Sequence, residues 1–277
     1  MDRFDFTRGT AVVTGAASGI GEQLAYALAR RGSALALVDR DAERLEQATK
    51  TAGAISGRPV ASYVTDLADD AATHALGDRL ASAHPDTTLL INNAGVALGG
   101  TFEQASEEEF DWVLAINLRA VITLTRKLLP VLRANPGSHL VNVSSLFGLI
   151  APPGQAAYAT SKFAVRGFTE ALRAELDGDV GVTVVHPGGI RTRIAENARV
   201  AARATAAQEA AGKASFAQLL TYPPERAAEQ IVAAVEHRRP RLLIAMTAHI
   251  PDVIARVAPA RYPALLKTVQ RLQSRAR

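Results

Sequence analysis

Seven short apolar runs alternate along this chain with longer segments in which apolar residues recur at helical spacing. The runs occupy residues 11–13, 34–38, 60–64, 89–92, 139–143, 182–185 and 242–245. The segments between them predict helices near residues 20–31, 41–52, 69–83, 107–133, 157–177 and 225–237. Strands that are apolar on both faces and separated by helices indicate a parallel sheet covered on both sides. We therefore predict an α/β fold with a doubly wound, mostly parallel seven-stranded sheet and helices on both faces.

The length and composition favour one domain. The chain has 277 residues, of which 48% are hydrophobic, and this is enough to bury a sizeable core. No Pro- or Gly-rich linker divides the chain, and no repeat with a period of roughly 20–50 residues is visible. We predict that residues 1–248 form the folded domain and that residues 249–277 add a helical extension packed on it.

The composition excludes several classes of protein. The chain has no cysteine, which excludes disulfides, thiolate nucleophiles and Cys-ligated metal. Its His, Asp and Glu residues show no metal-ligand spacing, so no metal site is predicted. No apolar run approaches the roughly 18 residues that span a bilayer, and the N-terminus lacks the apolar segment of a secretory signal. We therefore expect a cytoplasmic protein.

The basic charge is concentrated near the C-terminus. The whole chain carries a formal net charge of +4. Residues 237–277 contain nine Lys or Arg residues and one acid, Asp252, so the rest of the chain is net negative. A nucleic-acid binder would need a basic surface together with a recognition motif or interleaved aromatic residues. The sequence has neither of the latter, and we predict no nucleic-acid partner.

A glycine-rich turn follows the first predicted strand. It reads Thr14-Gly15-Ala16-Ala17-Ser18-Gly19-Ile20-Gly21 and leads directly into a predicted helix. Glycines allow a tight turn and a close approach of the backbone to a ligand, and the helix N-terminus offers N–H groups and a positive dipole to a pyrophosphate. The alternative is a turn with no ligand. The sequence predicts a dinucleotide site that includes Gly15, Ser18, Gly19, Ile20 and Gly21.

An acidic residue ends the second predicted strand. Asp39 lies eighteen residues after Gly21, near the position at which an acid hydrogen-bonds the adenosine ribose of a bound dinucleotide. A carboxylate there repels a 2′-phosphate and favours NAD over NADP. Arg40 follows and would instead pair with a phosphate, which leaves NADP as the alternative. A solvated Asp39 at the start of a loop is the interpretation without a ligand.

Tyr158 and Lys162 are spaced so that they share one face of a predicted helix. An ammonium beside a phenol stabilises the phenolate and lowers the pKa of the tyrosine, which makes it an effective general acid or base. Ser145 ends the fifth predicted strand, where parallel sheets present their ligand crevice, and its hydroxyl can donate a hydrogen bond to a carbonyl oxygen. These residues predict a proton-transfer site; a coincidental pair on a surface helix is the alternative.

Together these motifs resemble the short-chain dehydrogenase/reductase family, in its compact single-domain branch. The resemblance covers about residues 8–192, and the separate motifs occur in the family's order. They are Thr14-Gly15-x-x-x-Gly19-x-Gly21, Asp66-Leu67, Asn92-Asn93-Ala94-Gly95, Asn117, Ser145, Tyr158-x-x-x-Lys162 and Pro187-Gly188-Gly189-Ile190-x-Thr192. The resemblance implies a Rossmann-type sheet in a dinucleotide-binding catalytic domain, and hydride transfer between a nicotinamide and a CH–OH group.

The resemblance also implies contacts with the cofactor. Asp66 and Leu67 would flank the adenine, and the segment from Asn93 through Ala94 to Gly95 would shape the floor of its pocket. The nicotinamide end would be held by Pro187, Gly188, Ile190 and Thr192.

Four residues take catalytic roles in the resemblance. Ser145 would orient the reacting carbonyl or alcohol, and Tyr158 would exchange its proton. Lys162 would hold the nicotinamide ribose and lower the pKa of Tyr158. Asn117 would bend the central helix and hold a water in a proton relay.

We therefore expect an NAD(P)-dependent oxidoreductase that interconverts a secondary alcohol and a ketone or aldehyde. Its substrate is expected to be an apolar small molecule of lipid, steroid or acyl type, because the insert and tail beyond the shared motifs are rich in apolar side chains. A protein that only senses NAD(P) and regulates a partner is the alternative, although it would not need the proton-transfer residues. By family analogy we expect a homodimer or homotetramer, with a dimer packed through the helices near 107–133 and 157–177.

Two segments depart from the alternation of strands and helices. Residues 193–222 are Ala-rich with little strand character, and predict a helical excursion on the substrate side. After the last strand the apolar residues again recur at helical spacing, first at Ile250, Val253, Ile254 and Val257 and then at Leu265, Val269, Leu272 and Ala276. We expect this basic amphipathic tail to close the substrate pocket or to pack on the sheet edge. Weak peripheral contact with an anionic membrane surface is the alternative.

Overall fold

A seven-stranded parallel sheet forms the centre of the computed structural model, which describes residues 2–194, 196–208, 210, 212 and 220–265. Its strands are β1 (Thr10–Thr14), β2 (Ala34–Asp39), β3 (Val60–Val64), β4 (Thr87–Asn92), β6 (His139–Val143), β7 (Gly181–Pro187) and β9 (Arg241–Ile244). They lie in the order β3-β2-β1-β4-β6-β7-β9. All seven predicted strands are confirmed. The order reverses between β1 and β4, so the carboxyl ends of these two strands border a crevice in which such sheets bind ligands.

Helices cover both faces of the sheet. They are α1 (Gly19–Arg30), α2 (Ala42–Ser56), α3 (Asp70–Ala83), α4 (Glu107–Leu114), α5 (Ala120–Ala134), α6 (Ala156–Glu175), α7 (Pro224–Glu236) and α8 (Met246–Val257). Two begin at an aspartate whose carboxylate accepts a hydrogen bond from the first helical turn, Asp41 in α2 and Asp69 in α3. A capping box formed by Ser106 and Glu109 starts α4.

The apolar core lies in two layers, one on each side of the sheet. One layer contains Leu24 and Leu28 of α1 and Ile231 of α7, packed on β1 and its neighbours. The other contains Leu80 of α3 and Leu124 of α5. Every residue of β1, β4 and β6 is buried, because helices shield both faces of the parallel strands.

The long helix predicted near residues 107–133 is interrupted. A π-helical turn, Ala115–Arg119, separates α4 from α5 and contains Asn117. Such turns widen a helix by one residue and often occur at functional sites. A short 3₁₀ turn, Leu146–Gly148, follows β6 and carries the chain away from Ser145.

The segment after β7 contains strand structure that the sequence did not predict. β8 (Arg199–Val200) pairs in parallel with β5 (Leu98–Gly99), and Ile190 forms an isolated bridge with Tyr222. The expectation of little strand character still holds for the described part of residues 193–222, because β8 is two residues long and completes its backbone hydrogen bonds on the loop after β4. Residues 195, 209, 211 and 213–219 of the predicted helical excursion lie outside the described part of the chain.

The helical spacing of the first tail pattern is confirmed as α8, which packs against β9 and the 3₁₀ turn after Ser145. The expectation that its apolar face packs on the domain is wrong, because Ile250, Val253 and Val257 are exposed and Ala248 and Asp252 face the domain instead. In the second pattern, Leu265 is described and residues 266–277 are not. Tyr262 joins the tail to the domain, because its hydroxyl oxygen accepts a 3.0 Å hydrogen bond from the backbone N–H of Ala151.

Among the described residues, none of the helices is both long and apolar enough to cross a membrane. Within the same residues, His, Asp and Glu form no group of three or more that is suited to a metal ion.

Candidate active site

The glycine-rich turn connects β1 to α1 at the carboxyl edge of the sheet. Gly19 has a φ of +57°, in the left-handed region that residues with a side chain rarely adopt. A Cβ atom on Gly21 would overlap the carbonyl oxygen of Gly15 and approach the side-chain amide of Asn93. The turn can close only with glycine at these positions, and its backbone is left open to a ligand at the N-terminus of α1.

The loop after β4 is fastened to this turn by Thr14. The hydroxyl oxygen of Thr14 accepts hydrogen bonds of 3.0 Å from the backbone N–H groups of Asn93 and Ala94. The side-chain amide of Asn93 donates a 2.9 Å hydrogen bond to the carbonyl oxygen of Thr14. These contacts join the motif residues of two strands into one rigid wall.

Asp39 supports the turn from the end of β2. Its Oδ2 accepts a 3.0 Å hydrogen bond from the N–H of Ala17, and its Oδ1 accepts one of 3.1 Å from the N–H of Asp41. Both oxygens are thus held by backbone donors at the edge of the cavity. Arg40 lines the same cavity with an exposed side chain.

Tyr158 and Lys162 lie one turn apart on α6, and both are buried. The Phe147 ring meets the Tyr158 ring edge-on, with 6.0 Å between centroids. The Nζ of Lys162 donates a 3.0 Å hydrogen bond to the carbonyl oxygen of Val143, at the end of β6. The predicted spacing therefore brings the phenol and the ammonium to the carboxyl edge of the sheet.

Ser145 is positioned to donate a hydrogen bond into the cavity. Its hydroxyl oxygen accepts a 3.1 Å hydrogen bond from the N–H of Phe147, which leaves the hydroxyl hydrogen available. Burial raises the pKa of Tyr158, and a hydrogen bond between the Ser145 and Tyr158 hydroxyl groups acts in the opposite direction. Both residues line the same cavity, as hydrogen bonding to a shared substrate oxygen would require.

The expectation that Lys162 lowers the pKa of Tyr158 is not met. Burial dominates and raises the pKa of Tyr158, while the burial of Lys162 lowers its own pKa to about 8. The ammonium lies 5.8 Å from the centroid of the phenol ring and is hydrogen-bonded to a backbone carbonyl. Desolvation thus sets the direction of the pKa change for both groups.

Asn117 lies behind the site rather than in it. Its Oδ1 accepts a 2.8 Å hydrogen bond from the N–H of Val96, and its Nδ2 donates to the carbonyl oxygen of Val96 and to the hydroxyl of Ser161, both at 3.0 Å. The side chain connects the π-helical turn, the loop after β4 and α6. Its implied part in a proton relay stays a prediction.

One cavity brings together almost every residue that was predicted to form the cofactor site or the catalytic site. Gly21 and Asn117 are the two exceptions, because they support the wall from behind. The predicted residues that line the cavity are Gly15, Ser18, Gly19, Ile20, Asp39, Arg40, Asp66, Leu67, Asn93, Ala94, Gly95, Ser145, Tyr158, Lys162, Pro187, Gly188, Ile190 and Thr192.

The same cavity has walls that the sequence analysis missed. The apolar members include Val96, Ile116, Leu146, Phe147, Ile194 and Leu220. Thr247 of α8 also lines it, and its hydroxyl oxygen accepts a 3.2 Å hydrogen bond from the N–H of Gly189. The sequence could have indicated this wall, because Leu146 and Phe147 directly follow Ser145. No pattern in the sequence indicated Thr247, because its position depends on how α8 packs.

His186 is a further residue that the motifs did not indicate. Its Nδ1 lies 3.0 Å from the carbonyl oxygen of Ser145, so Nδ1 carries the proton. Burial lowers the pKa of His186 to about 4, and the imidazole is neutral at neutral pH. His186 thereby fixes the backbone from which the Ser145 hydroxyl projects.

Comparison with known proteins agrees with this geometry. The family described as short chain dehydrogenase matches residues 9–238. The chain belongs to this family. It is 38% identical over 264 residues to the oxidoreductase SadH of Mycobacterium tuberculosis, a match that covers 92% of this chain and 93% of SadH. Oxidoreductase UcpA of Escherichia coli is 35% identical over 190 residues, which cover 68% of this chain and 72% of UcpA.

Solved short-chain dehydrogenase structures have the same fold. One from Burkholderia phymatum in complex with NAD superposes with a TM-score of 0.81 at 30% identity, covering 95% of this chain and 96% of the other. One from Sphingobium yanoikuyae in complex with NADPH gives 0.75 at 26% identity, with coverages of 96% and 95%. This short-chain dehydrogenase is thus an oxidoreductase whose structural neighbours hold nicotinamide dinucleotides.

Proposed function

We propose that the protein interconverts an apolar secondary alcohol and its ketone or aldehyde, with NAD as the preferred hydride carrier. The observation that carries this proposal is that Ser145, Tyr158 and Lys162 line the same cavity as the glycine-rich turn. A proton-transfer group and a dinucleotide cradle in one cavity are what hydride exchange at a CH–OH carbon requires.

The residues of the cavity fit a nicotinamide dinucleotide along its whole length. The turn lacks Cβ atoms where a pyrophosphate would approach, and the N-terminus of α1 supplies N–H groups there. Asp66 and Leu67 would flank the adenine, and Asp39 would hydrogen-bond its ribose. Lys162 would hold the nicotinamide ribose, while the segment from Pro187 to Thr192 would hold the nicotinamide end.

Tyr158 is the proton donor and acceptor of the proposed reaction. Because burial raises its pKa, the phenol carries its proton at neutral pH and can donate it to a substrate carbonyl oxygen. Ser145 donates a second hydrogen bond to the same oxygen and stabilises the charge that develops there. Oxidation of an alcohol requires the reverse transfer to Tyr158. The bound nicotinamide supplies or accepts the hydride.

The position of Asp39 supports a preference for NAD. Its carboxylate is held in place by the backbone N–H groups of Ala17 and Asp41 at the edge of the cavity. A 2′-phosphate at this place would meet a fixed negative charge, whereas ribose hydroxyls would meet a hydrogen-bond acceptor. Arg40 is the feature that would support NADP.

The substrate class follows from the wall beside the catalytic hydroxyl groups. Leu146 and Phe147 continue directly from Ser145, and Ile194 and Leu220 come from the segment after β7. These side chains offer dispersion contacts and exclude water, so they favour substituents of lipid, steroid or acyl type. We further propose that a second copy packs on α5 and α6, as in the expected homodimer.

Spectrophotometry of NADH and NADPH with a panel of ketones and secondary alcohols tests the proposal. We expect turnover to be greatest with apolar substrates and NAD(H), and to be lost in Tyr158→Phe, which retains NADH binding. A protein that only senses the dinucleotide would bind NADH equally well, and Tyr158→Phe would change nothing measurable. Turnover by Tyr158→Phe close to that of the unmodified protein would contradict the assigned role.

A further inference from the structure

Helix α8 exposes a continuous apolar stripe. The exposed fractions are 66% for Met246, 52% for Ile250, 59% for Val253 and 81% for Val257. At 3.6 residues per turn, these four positions fall within about 60° of one another around the helix axis. They make up four of the nine large apolar side chains that are exposed in the described part of the chain, so the exposure is concentrated on one helix face.

The opposite face of the helix is buried and carries the charge. Ala248 and Asp252 are buried there, and the Asp252 carboxylate receives two hydrogen bonds from Arg241 and one from Arg256. A helix that covers a globular core normally does the reverse, with its large apolar residues inward and its charges outward. The orientation of α8 is fixed by an ion pair, and this orientation turns the apolar stripe away from the domain.

The segment that carries the stripe is basic in its sequence. Residues 237–277 contain nine Lys or Arg residues and one acid, Asp252. The charge of Asp252 is compensated by Arg241 and Arg256, so this carboxylate does not oppose an anionic partner. In the described part of the chain, Arg256 on α8 and Arg261 four residues after its end are exposed. An apolar stripe beside excess positive charge is the pattern of a helix that lies on an anionic bilayer.

A second copy of the chain fits this face less well. A two-fold interface would bring the two basic segments against each other. A single stripe of four side chains is also small beside the roughly 800 Å² per partner of a stable protein interface.

We propose that α8 is a docking surface for anionic phospholipid membranes, with Met246, Ile250, Val253 and Val257 entering the headgroup region and the arginines contacting lipid phosphates. The stripe begins one residue before Thr247, which lines the cavity. Docking would therefore place the bilayer surface next to the α8 wall of the active site. The proposal does not depend on the reaction, because it concerns a face that contains no catalytic residue.

Co-sedimentation with vesicles tests the proposal. We expect the full chain to bind vesicles of phosphatidylcholine mixed with phosphatidylglycerol and not those of phosphatidylcholine alone, and to be released at high salt. Val253→Asp combined with Val257→Asp should lower the partition coefficient at least about tenfold, because it removes apolar contacts and adds charges that the surface repels. Arg261→Glu should weaken binding to a smaller extent.

The matched control is Ile55→Asp combined with Val64→Asp, which changes two exposed apolar residues far along the chain from α8. This control should bind vesicles like the unmodified chain. Circular dichroism melting should show that both double variants fold, and NADH binding should be unchanged in the α8 variant. Failure of the unmodified chain to sediment with anionic vesicles would overturn the proposal. So would equal binding to uncharged vesicles, or retention of binding by the folded α8 variant.

Discussion

The Nζ atom of Lys162 lies 5.8 Å from the ring centroid of Tyr158 and is hydrogen-bonded to the carbonyl oxygen of Val143. The two buried groups respond to desolvation in opposite ways: the pKa of Tyr158 is raised, and that of Lys162 is lowered to about 8. Both changes favour the neutral form. The pH dependence of dinucleotide binding and that of catalysis should therefore report the pKa changes of Lys162 and Tyr158 separately.

The affinity for NADH should fall as the pH rises through about 8, where Lys162 loses its proton in the dinucleotide-free protein. The ammonium is the form that donates three hydrogen bonds, so binding is favoured below this pKa and weakened above it. Fluorescence titration of NADH across this range measures the effect. Lys162→Met should bind more weakly at neutral pH and lose the dependence. An unchanged affinity across the range in the unmodified protein would exclude a ribose contact by Lys162.

Ser145→Ala should reduce kcat by about 10²-fold, since it removes one of the two donors to the reacting oxygen. It should also move the pH profile of alcohol oxidation to higher pH, because oxidation needs the deprotonated phenol and the Ser145 hydrogen bond lowers the pKa of Tyr158. Steady-state rates over a pH series give both quantities. A lower rate with an unshifted profile would mean that Ser145 acts on the substrate alone.

Asp39→Asn should increase the preference for NADP over NAD by roughly tenfold, because it removes a like charge worth about 1–2 kcal/mol near the 2′-phosphate position. The amide oxygen can still accept the hydrogen bond from the N–H of Ala17, which supports the turn, whereas the hydrogen bond from the N–H of Asp41 is lost. Arg40→Ala is the companion variant, and it should weaken NADP binding and leave NAD binding nearly unchanged. The ratio of kcat/KM for the two dinucleotides is the measurement, and an unaltered ratio in Asp39→Asn would contradict the proposed preference.

Gly21→Ala should impair dinucleotide binding, because its Cβ would overlap the carbonyl oxygen of Gly15 and force the turn open. Gly53→Ala is the control, since a Cβ there meets nothing within 4 Å inside α2. That change should stabilise the protein by about 0.5–1 kcal/mol through helix propensity. NADH titration and thermal melting distinguish the two variants. Tight NADH binding by Gly21→Ala would show that the turn tolerates a side chain.

Local chemistry explains why so much of this site could be predicted. The strands are apolar on both faces, and the glycine turn and the Tyr158–Lys162 pair each lie within a short stretch of the chain, so their periodicity and spacing are visible in the sequence. The sheet then brings their separate motifs to one edge, which the topology of parallel strands requires.

What could not be predicted depends on contacts between distant segments. β5 and β8 are two-residue strands that exist only because they pair with each other. The role of His186 requires the Ser145 carbonyl as a partner, and the place of Thr247 requires α8 to be anchored. The predicted direction of the pKa change at Tyr158 was wrong, because the spacing of residues reveals a charged neighbour but does not reveal how deeply the phenol is buried.

The anchor of α8 provides the last prediction. Burial alone would raise the pKa of Asp252, but the hydrogen bonds from Arg241 and Arg256 lower it overall. Asp252→Asn leaves Arg241 without its bidentate partner and should reduce the free energy of unfolding by about 2 kcal/mol, less than a fully buried pair would lose. Asp78→Asn breaks an exposed pair with Lys127 and should cost less than about 1 kcal/mol. A carboxyl pKa that is lower in the folded state than in the unfolded state stabilises the fold at a pH above both values, and this stabilisation is lost as the pH falls through the folded-state pKa. The difference in the free energy of unfolding between Asp252→Asn and the unmodified protein should therefore shrink below about pH 4. Urea unfolding at neutral and acid pH measures this change, and equal losses for the two variants at neutral pH would mean that the ion pair does not hold α8.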